Sequence, residues 1–310
     1  MKKRLLMIFL IPLCLIFVCF LSSCTNDDEN VDIYASIYPI YYLTQKIVGD
    51  KMVVKQLYPD GTDVHEYDPV VDGDMKVLVK MSKAKLLFYI SDRLEAFINS
   101  AKSSVLSNSD LKTVELTKNV RLYDSVTEEY ETTEEHGITV DLHVWLDPIM
   151  MQKMAKIIAK EVIEIDEANE TYYNSNLASI LDILDKIDKK YQEELMGFEF
   201  KTMLVDHDAY LYLAKRYEIT RIKTRVDNES CDINPIHMVN TIEQAKELGI
   251  EYIVVTKNES VCSSVDRFVN ELGCEIVYLD PISTLTAETK EFDYYDLMIN
   301  NLYVLKKIFR

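Results

Sequence analysis

Between residues 174 and 195 apolar side chains recur in three- and four-residue steps, at Leu177, Ile180, Leu181, Leu184, Ile187, Tyr191 and Leu195, while Asp and Lys fill the opposite side. That is the period of one long amphipathic helix. It parts the chain into two stretches in which short apolar runs alternate with helix-period segments. On the amino-terminal side strands are expected over 31–37, 53–58, 84–90 and 113–116, and helices over 42–48, 74–81 and 94–105. On the carboxy-terminal side strands are expected over 201–205, 252–256 and 275–279, with helices over 209–217, 235–248 and 265–272. A last helix carries Tyr295, Met298, Leu302, Leu305 and Phe309 on one face. Strands alternating with helices indicate parallel sheets, so the fold class is α/β, with two α/β halves flanking a helical bridge. The expected division is 31–165, a linker helix at 166–197, and 198–310. Residues 118–140, acidic and rich in Glu and Thr, read as an exposed loop.

Residues 1–23 are an address rather than part of either half. Lys2, Lys3 and Arg4 precede almost unbroken apolar sequence, and Leu21-Ser22-Ser23-Cys24 follows at once. This resembles a bacterial lipoprotein signal, which implies cleavage before Cys24, lipid on its thiol, and a polar tether over 24–30. The alternative is a plain membrane anchor, since the apolar run is near the lower limit for a spanning helix.

Charge and glycine placement exclude several functions. Against 34 Lys plus Arg stand 52 Asp plus Glu, a net charge of −18 that becomes −21 when the three cations of the signal are removed. A chain this acidic repels phosphate backbones, so no nucleic-acid partner is expected. The seven glycines are never closer than twelve positions, which leaves no phosphate-cradling glycine motif. Of the cysteines, Cys231, Cys262 and Cys274 remain after the signal and Cys24. A Cys262–Cys274 bridge fits poorly across a helix about 15 Å long, and at least one thiol must stay free or pair outside the chain.

Three of the five histidines fall where strands hand over to helices, the edge at which open α/β sheets bind ligands. His65 lies in Gly61-Thr62-Asp63-Val64-His65-Glu66-Tyr67-Asp68-Pro69, His143 in Asp141-Leu142-His143-Val144-Trp145-Leu146-Asp147-Pro148, and His207 in Leu204-Val205-Asp206-His207-Asp208. Imidazole suits Zn2+, which takes four ligands at about 2.0–2.2 Å, so a carboxylate at another strand end completes the set. Asp280, in Tyr278-Leu279-Asp280-Pro281, fits that role. Asp63, Glu66, Asp141, Asp206 and Asp208 compete for it or orient the imidazoles from behind. His237, at a helix start, reads as structural.

These motifs, with His207-Asp208-Ala209-Tyr210 running on to Tyr217 and with Leu279-Asp280-Pro281, Tyr295, Met298 and Asn301-Leu302, resemble the metal-binding solute receptors of the cluster A-I (zinc and manganese) ABC importers over residues 31–310. The resemblance implies two α/β lobes joined by a long, rigid helix, with metal between them. His65 and His143 would come from the amino-terminal lobe, and His207 and Asp280 from the carboxy-terminal one. Glu66, Asp141 and Asp208 remain as supporting groups. Manganese members typically carry glutamate where this chain has His207, so Zn2+ is expected and Mn2+ is the alternative. An ABC permease is the implied partner, and the implied state is a lipid-anchored extracytoplasmic monomer without enzymatic activity. The acidic loop holds only His136, where zinc members often have a histidine-rich loop, and Ser91-Asp92-Arg93 and Thr256-Lys257-Asn258 also depart from the pattern. Because ligation needs neutral imidazole, affinity is expected to fall as pH drops through roughly 6.5. The rival classes are an exported zinc hydrolase, with water in place of Asp280, and a surface adhesin.

Overall fold

The computed structural model describes residues 30–125, 127–130, 140–225, 231, 234–258 and 261–310. The expected signal at 1–23, Cys24 with most of the expected tether, and His136 lie outside the described residues.

The first half contains β1 (Ile33–Ala35), α1 (Tyr38–Val48), β2 (Val54–Gln56), α2 (Met75–Met81), β3 (Leu86–Tyr89), α3 (Phe97–Lys102) and β4 (Lys112–Glu115). Its sheet runs β2-β1-β3-β4 with every pairing parallel; Ile33 sits opposite Val54 on one side and Leu86 on the other. β3 is Leu-Leu-Phe-Tyr and buried at all four positions, the unbroken apolar run of a strand covered on both faces. α1 begins earlier than its apolar period predicts. Pro39 occupies its first turn, where a missing N–H leaves no helix bond unmade.

α4 (Pro148–Ile165) and α5 (Glu170–Leu195) follow, the latter 26 residues long, or about 39 Å. α5 buries Tyr173, Ile180, Leu184, Ile187, Tyr191 and Leu195, and its outer face carries the i,i+4 pairs Asp182–Lys186 and Asp185–Lys189. The helix is shorter than the expected 166–197, because 167–169 form a 3-10 turn before it. It is tied to the second half by Asp188, which accepts two bonds from Arg216 at 2.9 and 2.7 Å and one from the Tyr217 hydroxyl at 3.1 Å.

The second half contains β5 (Thr202–Val205), α6 (Leu211–Tyr217), β6 (Thr220–Lys223), α7 (Pro235–Glu247), β7 (Tyr252–Thr256), α8 (Ser264–Leu272), β8 (Glu275–Leu279) and α9 (Tyr294–Ile308). Its parallel sheet repeats the strand order of the first, β6-β5-β7-β8. β6 is absent from the sequence expectation. It reads Thr-Arg-Ile-Lys, and as an edge strand it gives the core one apolar residue, Ile222. On α9 the buried aromatic is Tyr294 rather than Tyr295, and Phe309 falls just past the helix end. One continuous apolar cluster takes residues from both sheets, including Ile33, Phe88, Val205 and Val254, with Trp145 and Tyr294 among them.

A disulfide joins Cys231 to Cys262, whose Cα atoms are 5.4 Å apart, while Cys274 is a free, buried thiol. The bridge connects the segments that follow β6 and β7.

Beneath the first sheet's carboxyl edge sits Glu95, fully buried, accepting N–H bonds from Ile90 at 3.1 Å and Ser91 at 2.9 Å. Burial outweighs those bonds and pushes its carboxyl up to about 7. The unfolded chain therefore releases this proton at lower pH than the folded one. Its contribution to stability is greatest below the ordinary glutamate range and falls, by an amount on the order of 3 kcal/mol, as pH rises to about 7. Asp147 and Asp280, raised mainly by burial, act with the same sign. Urea unfolding of the metal-free protein is expected to show a lower midpoint at pH 8 than at pH 5.5, with a smaller difference in Glu95→Gln. Identical pH profiles for the two proteins would refute the assignment.

Candidate metal centre

Two of the histidine segments use the same local device. In Asp63-Val64-His65 the Asp63 carboxylate accepts the His65 backbone N–H at 2.9 Å, and in Asp141-Leu142-His143 the Asp141 carboxylate accepts the His143 backbone N–H at 2.9 Å. Such an Asx turn fixes the backbone two residues on and so aims the imidazole. Asp141 does more, since the same oxygen lies 3.3 Å from His143 Nδ1 and leaves Nε2 directed away from it. Burial would raise Asp141, but the His143 ring, the His143 backbone bond and the charge of Arg221 together hold it below the usual carboxylate range. His207 lies two residues past the end of β5, after Asp206, which accepts from Thr224 Oγ1 at 3.1 Å.

These three segments meet. One ligand atom from each of His65, His143 and His207 can be chosen so that all lie within 4.8 Å of one another. His65 Nε2 and His143 Nε2 are 3.3 Å apart, and the ring centroids of the three are separated by 5.3, 5.3 and 5.6 Å. A tetrahedral ion held at about 2.05 Å by each nitrogen sets neighbouring nitrogens about 3.3 Å apart. His143 and His207 are buried and His65 is exposed, so the cluster opens to solvent on the His65 side.

Asp280 does not join that group of atoms. It lies at the carboxyl end of β8, 8% exposed, with Oδ1 accepting the Ile282 N–H at 2.8 Å. Asn301 grips its backbone at both ends, accepting from the Asp280 N–H at 2.9 Å and donating to its carbonyl at 2.7 Å. Burial raises its carboxyl, against the Ile282 bond and the charge of Lys257. Ile282 has φ +57°, a left-handed conformation that a β-branched residue adopts only when its surroundings dictate it. Those surroundings include Trp145, whose indole N–H donates to the Pro281 carbonyl at 2.7 Å.

The other candidate carboxylates do not join the group either. Glu66 is exposed. Asp208 is buried and bonded to Arg221, and Asp206 faces Thr224 and Arg225. His237 contacts the Lys223 carbonyl at 3.0 Å, away from the cluster. The described part of 118–140 departs from a plain solvated loop. Tyr123 pairs with Tyr130, Asp124 pairs with Val140, and Glu128 makes ion pairs with Lys215, Arg221 and Lys223. Burial would raise Glu128, but those cations hold it below the usual range. Sequence reasoning missed Arg221 because it missed β6, and missed Glu128 because one glutamate in an acidic stretch carries no periodic signal.

Residues 33–308 match the protein family described as zinc-uptake complex component A, periplasmic, ZnuA. The high-affinity zinc uptake system protein ZnuA of Bacillus subtilis is 27% identical over 292 residues, covering 92% of this chain and 89% of that protein. The zinc-binding lipoprotein AdcA of Streptococcus pneumoniae is 27% identical over 315 residues, covering 99% of this chain and 61% of that protein. The crystal structure of the metal-dependent lipoprotein YcdH from Bacillus subtilis superposes with a TM-score of 0.73 at 27% identity, covering 90% of this chain and 99% of that one.

Proposed function

The chain belongs to the zinc-uptake component A family, and from that premise we propose that it captures Zn2+ outside the cytoplasm and passes it to an ABC permease. It is a zinc-binding receptor. The observation that carries the reading is the convergence of His65, His143 and His207, drawn from both halves of the chain. Three imidazoles form a borderline donor set that favours zinc over the harder manganese ion.

In this reading Asp280 is the fourth ligand. Its Oδ1 is engaged by the Ile282 N–H, which leaves Oδ2 for the cation, and Asp280 approaches from the carboxyl end of β8, on the same half of the chain as His207. With four protein ligands the ion has no position for an activated water, so the site binds and does not catalyse. Asp141 sets the tautomer of His143. Cys24 carries lipid that anchors a monomer to the membrane. The chain spans 61% of the length of the streptococcal AdcA, so the reading covers capture and delivery and takes nothing from the remainder of that protein.

Competition titration tests this reading. Zinc is expected to displace manganese, with roughly one zinc bound per chain. Preferential retention of manganese would defeat it, and the intact mass of the same membrane-extracted preparation reports whether Cys24 is lipidated.

A further inference from the structure

The segment that ends in His143 is fastened to the half of the chain that carries His207. Tyr212, on α6, accepts the Tyr123 backbone N–H at 3.0 Å and donates its hydroxyl proton to the Asp141 carbonyl at 3.3 Å, so one side chain holds both arms of the 123–141 segment. The arms also bind each other, through Asp141 N–H donating to the Tyr123 carbonyl at 2.9 Å. Further out, Glu128 accepts from Arg221 at 2.5 Å, with Lys215 at 3.3 Å and Lys223 at 3.7 Å. Lys223 donates to the Ser125 carbonyl at 3.1 Å. The Arg221 side chain, 2% exposed, has its other terminal nitrogen on Asp208, the residue after His207.

A continuous bonded path therefore leads from His207 through Asp208, Arg221 and Glu128 to the segment bearing Asp141 and His143. It bypasses the metal position altogether. We propose that Glu128, Arg221 and Tyr212 form a clasp that positions His143 against His207 and sets how long a captured cation stays. The proposal rests on the reading of those histidines as cation ligands. The chemistry suits the task. The clasp pairs a buried Arg221 side chain with a Glu128 carboxylate that is 29% exposed, so it is strong enough to hold and still responsive to ionic strength at its solvent-facing end. A contact made only when the halves are together raises the barrier to their separation, and hence to cation release, without touching the cation.

The test is zinc release into excess chelator, followed by stopped flow, for the unaltered protein, Glu128→Gln and Tyr212→Phe. Glu128→Gln is expected to release zinc about tenfold faster at low salt, a size within the usual range of coupling between sites. Release from the unaltered protein should quicken as salt rises, while Glu128→Gln stays nearly flat. Tyr212→Phe should act in the same direction, and the melting temperature of metal-free Glu128→Gln should stay within about 2 °C of the unaltered value. A structural role alone would move the melting temperature and leave the salt dependence intact. Equal release rates and equal salt dependence overturn the proposal. If the unaltered protein binds no zinc, the receptor reading fails separately. Hydrogen exchange of residues 140–146 in the metal-free proteins then decides the clasp: faster exchange in Glu128→Gln upholds it, and equal exchange overturns it.

Discussion

A His143→Ala protein is expected to bind zinc at least about a hundredfold more weakly than the unaltered chain. Structural zinc sites bind with roughly 10–16 kcal/mol shared among four ligands, so each ligand accounts for about 3 kcal/mol, and every 1.4 kcal/mol is tenfold. His143 should lie at the severe end. It is 5% exposed and its ring is held by Asp141, so a water entering its place would have to be ordered within a mostly closed setting. His65 is exposed and more readily replaced by solvent. Asp141→Asn should cost between tenfold and a hundredfold, by losing the partner that orients the imidazole. A chromophoric chelator in competition provides the measurement. A fall of less than threefold for His143→Ala would remove His143 from the ligand set.

The second large effect is on stability. Trp145 is fully buried beside the site, its ring centroid 5.2 Å from that of His143. Its indole N–H donates to the Pro281 carbonyl, and its own carbonyl accepts the Tyr294 hydroxyl at 2.5 Å. It therefore joins the His143 segment to the Asp280 turn and to α9. Trp145→Ala should cost about 3–5 kcal/mol through lost burial and the cavity left behind. Trp145→Phe keeps much of the apolar volume but leaves the Pro281 carbonyl without its donor, at about 1–3 kcal/mol. Urea unfolding of the metal-free proteins separates the two. A Trp145→Phe protein within about 0.5 kcal/mol of the unaltered one, the size of an ordinary surface substitution, would show that the indole bond contributes nothing.

Much of the architecture was legible from period alone. The long helix announced itself because its apolar face runs unbroken from Leu177 to Leu195, and β3 because both its faces are covered. β6 was invisible because an edge strand of Thr-Arg-Ile-Lys has a single core position, and no period can be read from one residue. The histidines could be read because each sits within a distinctive local pattern, although only His207 closely follows a strand: His65 comes nine residues after β2, and His143 immediately precedes the 3-10 turn Val144–Leu146. Their mutual distances could not, since residues 65, 143 and 207 are brought together only by two sheets facing one core. Cysteine spacing argued against a Cys262–Cys274 bridge, but the partner of Cys262 depended on where the segments after β6 and β7 lie. Arg221 and Glu128 were hidden for a plainer reason: in a chain with 86 charged residues, an ion pair between distant positions leaves no mark on the sequence.

The left-handed Ile282 has one more consequence. A non-glycine residue in that conformation costs roughly 1–3 kcal/mol, which the fold must offset elsewhere. Here Trp145 and Asn301 hold the turn from two sides, and the Tyr38 N–H donates to the Ser283 carbonyl at 2.9 Å from a third. The ordering of Asp280 is thus completed when the chain folds, not when an ion arrives. A cation that takes this carboxylate meets a preorganised oxygen, and the free energy of the encounter goes into affinity instead of into arranging the turn.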